Sequence, residues 1–233
     1  MPRHCTIGAD LLLAGECSMA AMALLSFRGP RAPHFGALVA ALFLLLAAGC
    51  GQSAKLLPLA PDAVVLAFGD SLTFGTGASE QESYPAQLAR LTGRRVVREG
   101  VPGEVSATGL ARLPAVLDEH QPKLLLLCHG GNDFLRRLPG KEAAENLRAM
   151  IRLAKSRGID VVLIGTPEFS LTVTPPAFYA EIAKEFRIPY EGDVIGKILR
   201  DGSLKSDQIH PNALGYKLMA ERVHALLKKA GAV

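Results

Sequence analysis

The sequence predicts an α/β fold, a three-layer α/β/α sandwich in which helices cover both faces of a parallel sheet. Short apolar runs that suit buried parallel strands alternate five times with segments whose apolar residues recur at helical spacing. Parallel strands need crossover connections, and these place helices on both faces of the sheet. The chain has 233 residues, of which 49% are hydrophobic and 21% charged, and this is enough for one sizeable core.

The strands and helices are predicted in alternation from residue 63 onwards. The predicted strands are Ala63 to Phe68, Arg95 to Arg98, Lys123 to His129, Ile159 to Ile164 and Ile188 to Tyr190. The predicted helices lie near Tyr84 to Leu91, Ala107 to His120, Lys141 to Ser156, Pro176 to Phe186 and Asn212 to Lys229. Gly158 lies between the third helix and the fourth strand, where a glycine commonly ends a helix. The strand ends place five loops at the carboxyl edge of the sheet, where open α/β sheets bind ligands.

The first 60 residues differ in composition from the rest of the chain. Arg28 and Arg31 precede an uncharged stretch over residues 35–54 that is dominated by Leu and Ala, which is typical of a secretory leader. Residues 1–21 resemble neither a leader nor a domain, and Met22 would give a more usual start. We therefore predict three segments: a leader over residues 1–50, a tether over 51–62 and one domain over 63–233.

Small residues lie directly before Cys50, and Ala47 stands where the bacterial lipobox most often has leucine. The pattern resembles that lipobox, whose cysteine is lipidated and becomes the new N-terminus. The sequence thus predicts a lipoprotein of the bacterial periplasm, anchored to the membrane through Cys50. Two alternatives remain: cleavage elsewhere with release of a soluble periplasmic or secreted protein, and an uncleaved anchor, for which the apolar run is barely long enough.

The cysteines argue against a disulfide within the domain, and the net charge argues against binding to nucleic acid. Cys128 is the only cysteine of the predicted domain, so no disulfide can form within it despite the oxidising compartment. It lies in a run of leucines, which predicts a buried structural thiol rather than a nucleophile. The net charge of +4 is small and the basic residues are scattered, so no surface for nucleic acid is predicted.

A serine and a histidine lie at the predicted carboxyl edge. Ser71 follows the first strand, where it can be either a nucleophile or the cap of the next helix. Asp207 precedes His210 by three residues, directly before the last helix, so that its carboxylate can curl back to Nδ1 of the imidazole. A serine nucleophile needs a base, and the base needs a partner that sets its tautomer. We predict a triad of Ser71, His210 and Asp207, with His129 as the one competing base.

The same edge offers donors for an oxyanion. The backbone N–H of Ser71, the backbone N–H of Gly103 and the side-chain amide of Asn132 are the candidates, because acyl transfer needs two or three donors aimed at the developing charge. Taken singly, Asn132 with Asp133 is better explained by an ordinary polar turn, and Gly103 by a turn glycine after proline. We expect Asp70 and Asp133 to hold loops rather than react.

Together these segments resemble the SGNH, or GDSL-type, hydrolases over about residues 62–230. Four segments carry the resemblance, in the family's order: Gly69-Asp70-Ser71-Leu72, Gly103, Gly130-Gly131-Asn132-Asp133 and Asp207-Gln208-Ile209-His210. Within the family the chain is most similar to the compact bacterial periplasmic group of acyl-CoA thioesterases, lysophospholipases and arylesterases.

The resemblance implies a flavodoxin-like five-stranded sheet in the order 2-1-3-4-5 and neither a metal nor an organic cofactor. It implies a serine hydrolase that cleaves carboxylic esters or thioesters through an acyl-serine intermediate, with a small-molecule acyl substrate as its partner. For the acyl chain we predict a pocket that includes Leu72, Phe169 and Leu171. Plain packing of the crossover loop explains the last two equally well.

Three other interpretations compete with the hydrolase. Residues 71–77 could cradle the phosphate of a flavin or nucleotide, but they lack the spacing of a P-loop or of Gly-x-Gly-x-x-Gly. A lipid-anchored binding protein without catalysis would give no role to the serine, histidine, aspartate and asparagine predicted at the carboxyl edge. A metal site at Asp207, His210 and His129 would lack the helical His-x-x-x-His or cysteine pair that commonly accompanies such ligands.

Overall fold

A computed structural model of the protein describes residues 54–168 and 173–233. The predicted leader, Cys50, Phe169 and Leu171 lie outside the described residues. Over these two ranges no helix is both long and apolar enough to cross a bilayer.

The sheet has five parallel strands in the predicted order, β2-β1-β3-β4-β5. The strands are β1 (Val64–Gly69), β2 (Arg95–Gly100), β3 (Leu124–Cys128), β4 (Asp160–Ile164) and β5 (Tyr190–Glu191). The central strands end level, because Gly69 pairs with Gly100 on one side and with Cys128 on the other. A side chain at Gly69 would lie 2.0 Å from the Cys128 carbonyl oxygen, so only glycine allows this close approach. The loops after β1, β2 and β3 therefore start side by side.

The five predicted helices are confirmed, each to within two residues at either end. They are α2 (Tyr84–Thr92), α3 (Ser106–His120), α5 (Gly140–Ser156), α6 (Phe178–Phe186) and α8 (Ala213–Ala230). Within the described residues, three short α-helices were not predicted: α1 (Ser71–Phe74), α4 (Gly131–Leu135) and α7 (Val194–Arg200). Two single-turn 3₁₀ helices, Glu80–Glu82 and Gly202–Leu204, were not predicted either. Segments of three to seven residues are too short for a helical period to stand out, and two of the three α-helices hold predicted site residues.

The sheet separates two apolar clusters, one on each face. Successive side chains of a strand point to opposite faces, so Val65 and Ala67 pack with α2 and α8, whereas Leu66 and Phe68 pack with α3, α5 and α6. The three-layer sandwich with a flavodoxin-like sheet is thereby confirmed.

The segment before β1 differs from the predicted tether. Leu56 and Leu59 are buried in the cluster that includes α8, and their N–H groups donate to the carbonyls of Ala230 (3.0 Å) and Ala232 (2.9 Å). Two prolines made these residues resemble a linker, but their leucines cover the end of the last helix. We call residues 56–59 the N-terminal strap.

Candidate active site

Ser71 is the first residue of α1, directly after the carboxyl end of β1. The preceding residue, Asp70, caps this helix, because its Oδ1 accepts the N–H of Leu72 at 3.0 Å. Ser71 is therefore not the cap, which was the alternative to a nucleophile. Its hydroxyl is bonded to a base instead.

Ser71, His210 and Asp207 form one chain of hydrogen bonds. His210 Nε2 lies 3.1 Å from Ser71 Oγ, and His210 Nδ1 lies 2.7 Å from Asp207 Oδ2. A carboxylate only accepts hydrogen bonds, so Nδ1 carries the proton and Nε2 is left to accept from the serine hydroxyl. The structure brings the three predicted residues together from the two ends of the domain.

The carboxylate of Asp207 is held in its charged form. Partial burial raises its pKa, but three hydrogen bonds outweigh this effect and leave the pKa below its ordinary value. The donors are the ring of His210 and the N–H groups of Ile209 and His210, the two backbone bonds to Oδ1 each being 2.8 Å long. Asp207 and His210 are thus oriented within a single turn.

Asn132 lies in the first turn of α4, at the end of β3. Gly130, with a φ of +109°, makes the entry to this helix in a conformation that side chains rarely adopt. The Asn132 amide donates to the Glu104 carbonyl oxygen at 3.0 Å and to Asp70 Oδ2 at 3.3 Å. It lies in the same cleft as Ser71 and His210.

Gly103 lies in the turn after β2. Pro102 and Gly103 are the central residues of a turn closed by a 3.1 Å bond from the Glu104 N–H to the Val101 carbonyl, and the φ of +78° at Gly103 fits a type II turn. Gly103 is not among the residues that line the cleft of Ser71. Its turn is joined to that cleft through the bond between Glu104 and Asn132, and its role as an oxyanion donor stays a prediction.

The other two aspartates hold loops. Asp133 is buried and accepts both the N–H (2.8 Å) and the hydroxyl (2.6 Å) of Ser106, so it caps α3 from outside that helix. Asp70 is buried as well, and burial, although opposed by the nearby histidines and by the Leu72 bond, raises its pKa.

His129 is fully buried, and the hydrogen-bond partners of its ring are Glu104 and Gly130, not Ser71. Its Nε2 lies 3.1 Å from a carboxylate oxygen of Glu104, and its Nδ1 accepts the N–H of Gly130 at 3.1 Å. Ser71 is paired with His210, so the competing base is not supported. Nowhere in the described parts of the chain do three His, Cys, Asp or Glu side chains form a cluster suited to a metal ion.

The cleft beside Ser71 has a largely apolar lining. Leu72 is one of the lining residues, as predicted, whereas the structure describes neither Phe169 nor Leu171. Pro167 of the loop after β4, which was expected to wall the pocket, lines the cleft as well. The sequence analysis missed the remaining apolar residues of the lining: Leu135, Ile195, Leu199 and Ile209. Ile195 and Leu199 are four residues apart on α7, and that spacing was the one available signal.

The phosphate-cradle interpretation meets an obstacle. The N-terminus of α1 is already occupied by the carboxylate of Asp70, which accepts the N–H of Leu72. A phosphate there would compete with Asp70 for the N–H of Leu72, and a helix of four residues has little dipole to attract it.

Comparisons with known proteins agree with this site. The model of the GDSL-like Lipase/Acylhydrolase family matches residues 67–218. The Esterase TesA of Pseudomonas aeruginosa is 30% identical over 203 residues, which cover 79% of this chain and 97% of that protein. The "Thioesterase 1/protease 1/lysophospholipase L1" of Escherichia coli (strain K12) is 33% identical over 156 residues, covering 64% of this chain and 75% of the relative.

The fold is also found among solved structures. The psychrotrophic esterase EstA from Pseudoalteromonas sp. superposes with a TM-score of 0.65 at 22% identity, over 72% of this chain and 98% of that one. At this identity the likeness concerns the fold alone.

Proposed function

The chain belongs to the GDSL-like lipase and acylhydrolase family and hydrolyses ester bonds, and we propose that it does so through Ser71, His210 and Asp207. The observation that supports this assignment is the unbroken chain of contacts from Asp207 through His210 to Ser71 Oγ. Ester hydrolysis through an acyl-enzyme needs a nucleophile that a base activates, and His210 lies within hydrogen-bonding distance of the Ser71 hydroxyl.

In the acylation step, Ser71 Oγ attacks the carbonyl carbon of an ester or thioester while His210 Nε2 takes the hydroxyl proton. Asp207 stabilises the imidazolium that results. The carbonyl oxygen becomes an oxyanion, which accepts hydrogen bonds from the N–H of Ser71, the N–H of Gly103 and the amide of Asn132. Collapse of the tetrahedral intermediate breaks the bond to the alcohol or thiol, which leaves with the proton from His210.

In the deacylation step, a water molecule attacks the acyl-serine. His210 takes a proton from this water, and a second tetrahedral intermediate forms at the same oxyanion donors. Its collapse returns the proton to Ser71 Oγ and releases the carboxylic acid. The cycle needs no cofactor.

Replacement of the nucleophile tests the proposal. We expect Ser71→Ala to reduce kcat on a p-nitrophenyl ester by about 10³-fold or more and to abolish labelling by a fluorophosphonate probe. Ser203→Ala is the matched control, because Ser203 is an exposed serine bonded to Asp201 and not to the cleft. If Ser71→Ala kept wild-type turnover and labelling, the proposed mechanism would be wrong.

We propose amphiphilic acyl esters and thioesters as substrates. Five of the seven large hydrophobic side chains that are exposed in the described parts of the chain lie on segments at the carboxyl edge of the sheet: Phe74, Val101, Leu135, Leu138 and Leu214. Of these, Leu135 lines the cleft itself, and exposed apolar side chains at the same edge as a cleft are typical of sites that take apolar ligands. The names of the two relatives, an esterase and a thioesterase with lysophospholipase activity, support the same class.

The acyl pocket is tested by chain length. We propose that Leu72, Phe169 and Leu171 contact the acyl chain, and we expect p-nitrophenyl esters from acetyl to palmitoyl to differ in kcat/KM by at least tenfold across the series. Equal rates for all chain lengths would remove the pocket from the proposal.

We also propose that the protein is a periplasmic lipoprotein anchored through Cys50. The support is the sequence alone: two arginines, an apolar stretch and small residues before the cysteine. Metabolic labelling with a fatty acid should mark the wild-type protein but not Cys50→Ser. Release of an unlabelled wild-type protein into the soluble periplasmic fraction would favour ordinary signal cleavage instead.

A further inference from the structure

A partly buried network of charged side chains, centred on Glu104, lies next to Asn132, and no step of the proposed reaction uses it. The side chain of Glu104 is 3% exposed, and each of its carboxylate oxygens accepts a hydrogen bond from Arg112, at 3.0 Å from Nε and 2.9 Å from Nη2. The same carboxylate accepts from His129 Nε2 at 3.1 Å. Arg112 also pairs with Glu99, at 2.9 Å.

Donors and acceptors match throughout this network. Nδ1 of His129 accepts the Gly130 N–H, so the ring proton is on Nε2 and points at Glu104. Burial disfavours the carboxylate, but the bonds from His129 and Arg112 outweigh this and lower the pKa of Glu104 to about 2. Glu104 is therefore negatively charged at every pH at which the enzyme would work.

Stability alone is a poor reason for such a network. Removing charges from water costs about as much as their attraction returns, so apolar side chains of similar volume would stabilise the fold equally well. The chain even makes room for the network: a side chain at Gly109 would lie 2.4 Å from Nε2 of His129. A role in positioning accounts for these features better.

The network holds the backbone that orients Asn132. The carbonyl of Glu104 accepts the Asn132 amide at 3.0 Å, while the carboxylate of the same residue is clamped by Arg112 and His129. Glu104 also closes the turn that contains Gly103, and the other end of this turn is held by a 3.0 Å bond from the Val101 N–H to Gly69. The Asn132 amide is thus held by Glu104, whereas the turn is also held by Gly69 and by Arg136, which donates to the Gly103 carbonyl at 2.8 Å.

One proton of the amide is left for a substrate. An amide nitrogen carries two hydrogens, and the shorter bond, to the Glu104 carbonyl, uses one of them. The other faces Asp70 Oδ2 across a longer 3.3 Å contact, which an oxyanion can displace or share. Rotation of the amide would turn this proton away, and oxyanion donors need placement within about 0.5 Å.

We propose that Glu104, clamped by Arg112 and His129, is a positioning residue that directs the Asn132 amide toward the oxyanion. The inference rests on the proposed function, in which Asn132 is an oxyanion donor. Glu104 itself does not touch the substrate.

Glu104→Gln tests the inference with little change in size. The glutamine amide would present hydrogens to donors of His129 or Arg112, so the clamp would loosen. We expect kcat to fall about 10- to 100-fold while KM changes less than threefold, because the amide acts on the transition state. The matched control is Glu99→Gln, which removes the other carboxylate on Arg112 but contacts neither Asn132 nor His129, and its kcat should stay within threefold of wild type.

A double-mutant cycle separates positioning from general loosening of the fold. If Glu104 acts through Asn132, then Glu104→Gln should cost less than threefold in kcat when Asn132 is already replaced by alanine. An equal loss in both backgrounds, or wild-type kcat for Glu104→Gln, would overturn the inference. Fluorophosphonate labelling of Ser71 in the wild type keeps the two proposals apart, since its absence would count against the proposed function and not against the network.

Arg112→Lys provides a second variant if Glu104→Gln fails to fold. Lysine keeps the charge but cannot form the two parallel bonds to the carboxylate. The same pattern is expected, a fall in kcat with little change in KM that disappears in the Asn132→Ala background. An Arg112→Lys protein with wild-type kcat would overturn the inference equally.

Discussion

At the scale of residues, Asp207 and His210 meet because one carboxylate organises the turn between them. Oδ1 of Asp207 accepts the N–H groups of Ile209 and His210, and Oδ2 is then left facing the imidazole. The spacing of three residues, which the sequence analysis used, is the spacing that this turn requires. The orienting acid and the base are consequently placed relative to each other by local hydrogen bonds.

Asp207→Asn should separate orientation from folding. The substituted asparagine would keep an acceptor for the two backbone N–H groups, but its amide hydrogens favour the wrong tautomer of His210. We expect kcat to fall by about 10²- to 10⁴-fold with an unchanged melting temperature, since the Asp207 side chain is 52% exposed. Steady-state kinetics and thermal denaturation of the purified protein measure the two quantities.

Asp201→Asn is the control for this experiment. Asp201 is an exposed carboxylate that caps a short turn by accepting the N–H and hydroxyl of Ser203, and it has no contact with the triad. Its replacement should leave kcat within twofold of wild type. A comparable loss of activity in both variants would show that charge near the cleft, rather than the tautomer of His210, is what matters.

At the scale of elements, the short helices and turns after β1, β2 and β3 carry the site. Each of them is tied to a neighbour by a buried carboxylate: Asp70 to Asn132 of α4, Glu104 to Arg112 of α3 and Asp133 to Ser106 of α3. These carboxyl groups fix the backbone of the loops at the sheet edge. Because carboxyl groups titrate and the pKa values of Asp70 and Glu104 are shifted in the fold, the stability of the protein should depend on pH.

Glu104 should contribute a component of stability that is lost in acid. Its folded pKa of about 2 lies below the value of an unfolded glutamate, so the contribution is complete above about pH 5 and declines as the pH falls toward 2. The size is about 3 kcal/mol at neutral pH. The difference in unfolding free energy between wild type and Glu104→Gln should therefore shrink by that amount from pH 5 to pH 2, as measured by urea denaturation.

Asp70 does not disturb this comparison. Burial raises its pKa, so its own effect has the opposite sign and favours the folded state at low pH. Because Asp70 is present in both proteins, its effect cancels in the difference. A difference that stays constant from pH 5 to pH 2 would mean that Glu104 is not held as a carboxylate by its partners.

At the scale of the whole molecule, the N-terminal strap closes the core at the edge opposite the site. Leu56 and Leu59 fill the end of the α8 cluster, and they pair through backbone bonds with the last residues of the chain. The catalytic cleft lies at the carboxyl ends of the strands, away from this contact. Stability and catalysis should therefore respond separately to changes in the strap.

The double variant Leu56→Ala/Leu59→Ala should be destabilised by about 2–4 kcal/mol, because two leucines leave the core. Its kcat and KM below the melting transition should equal those of wild type. Leu57→Ala is the control, since the intervening Leu57 is 75% exposed and should contribute almost nothing to stability. Equal melting temperatures for the two variants would mean that residues 56–59 behave as the tether that the sequence suggested.

Local sequence patterns were enough to predict the layers, four of the five strands and the three residues of the proposed triad. The fifth strand, predicted over Ile188 to Tyr190, is Tyr190–Glu191, because a strand of two residues shows no period. Periodicity within a single predicted strand or helix is a local property, and so is the spacing of Asp207 and His210. The order of the strands came with the family resemblance, and the level ends of β1, β2 and β3 then brought Ser71 beside Asn132.

Three features became visible only in the folded chain: which group caps α1, that Leu56 and Leu59 belong to the core, and that Glu104 with Arg112 and His129 holds the Asn132 amide. Most of these contacts join residues far apart in sequence. The N-terminal strap contacts the end of α8, and His129 and Asn132, which follow β3, contact Glu104 in the turn after β2. No local period or spacing encodes such a contact, because its energy arises only when the sheet has formed and water has been excluded.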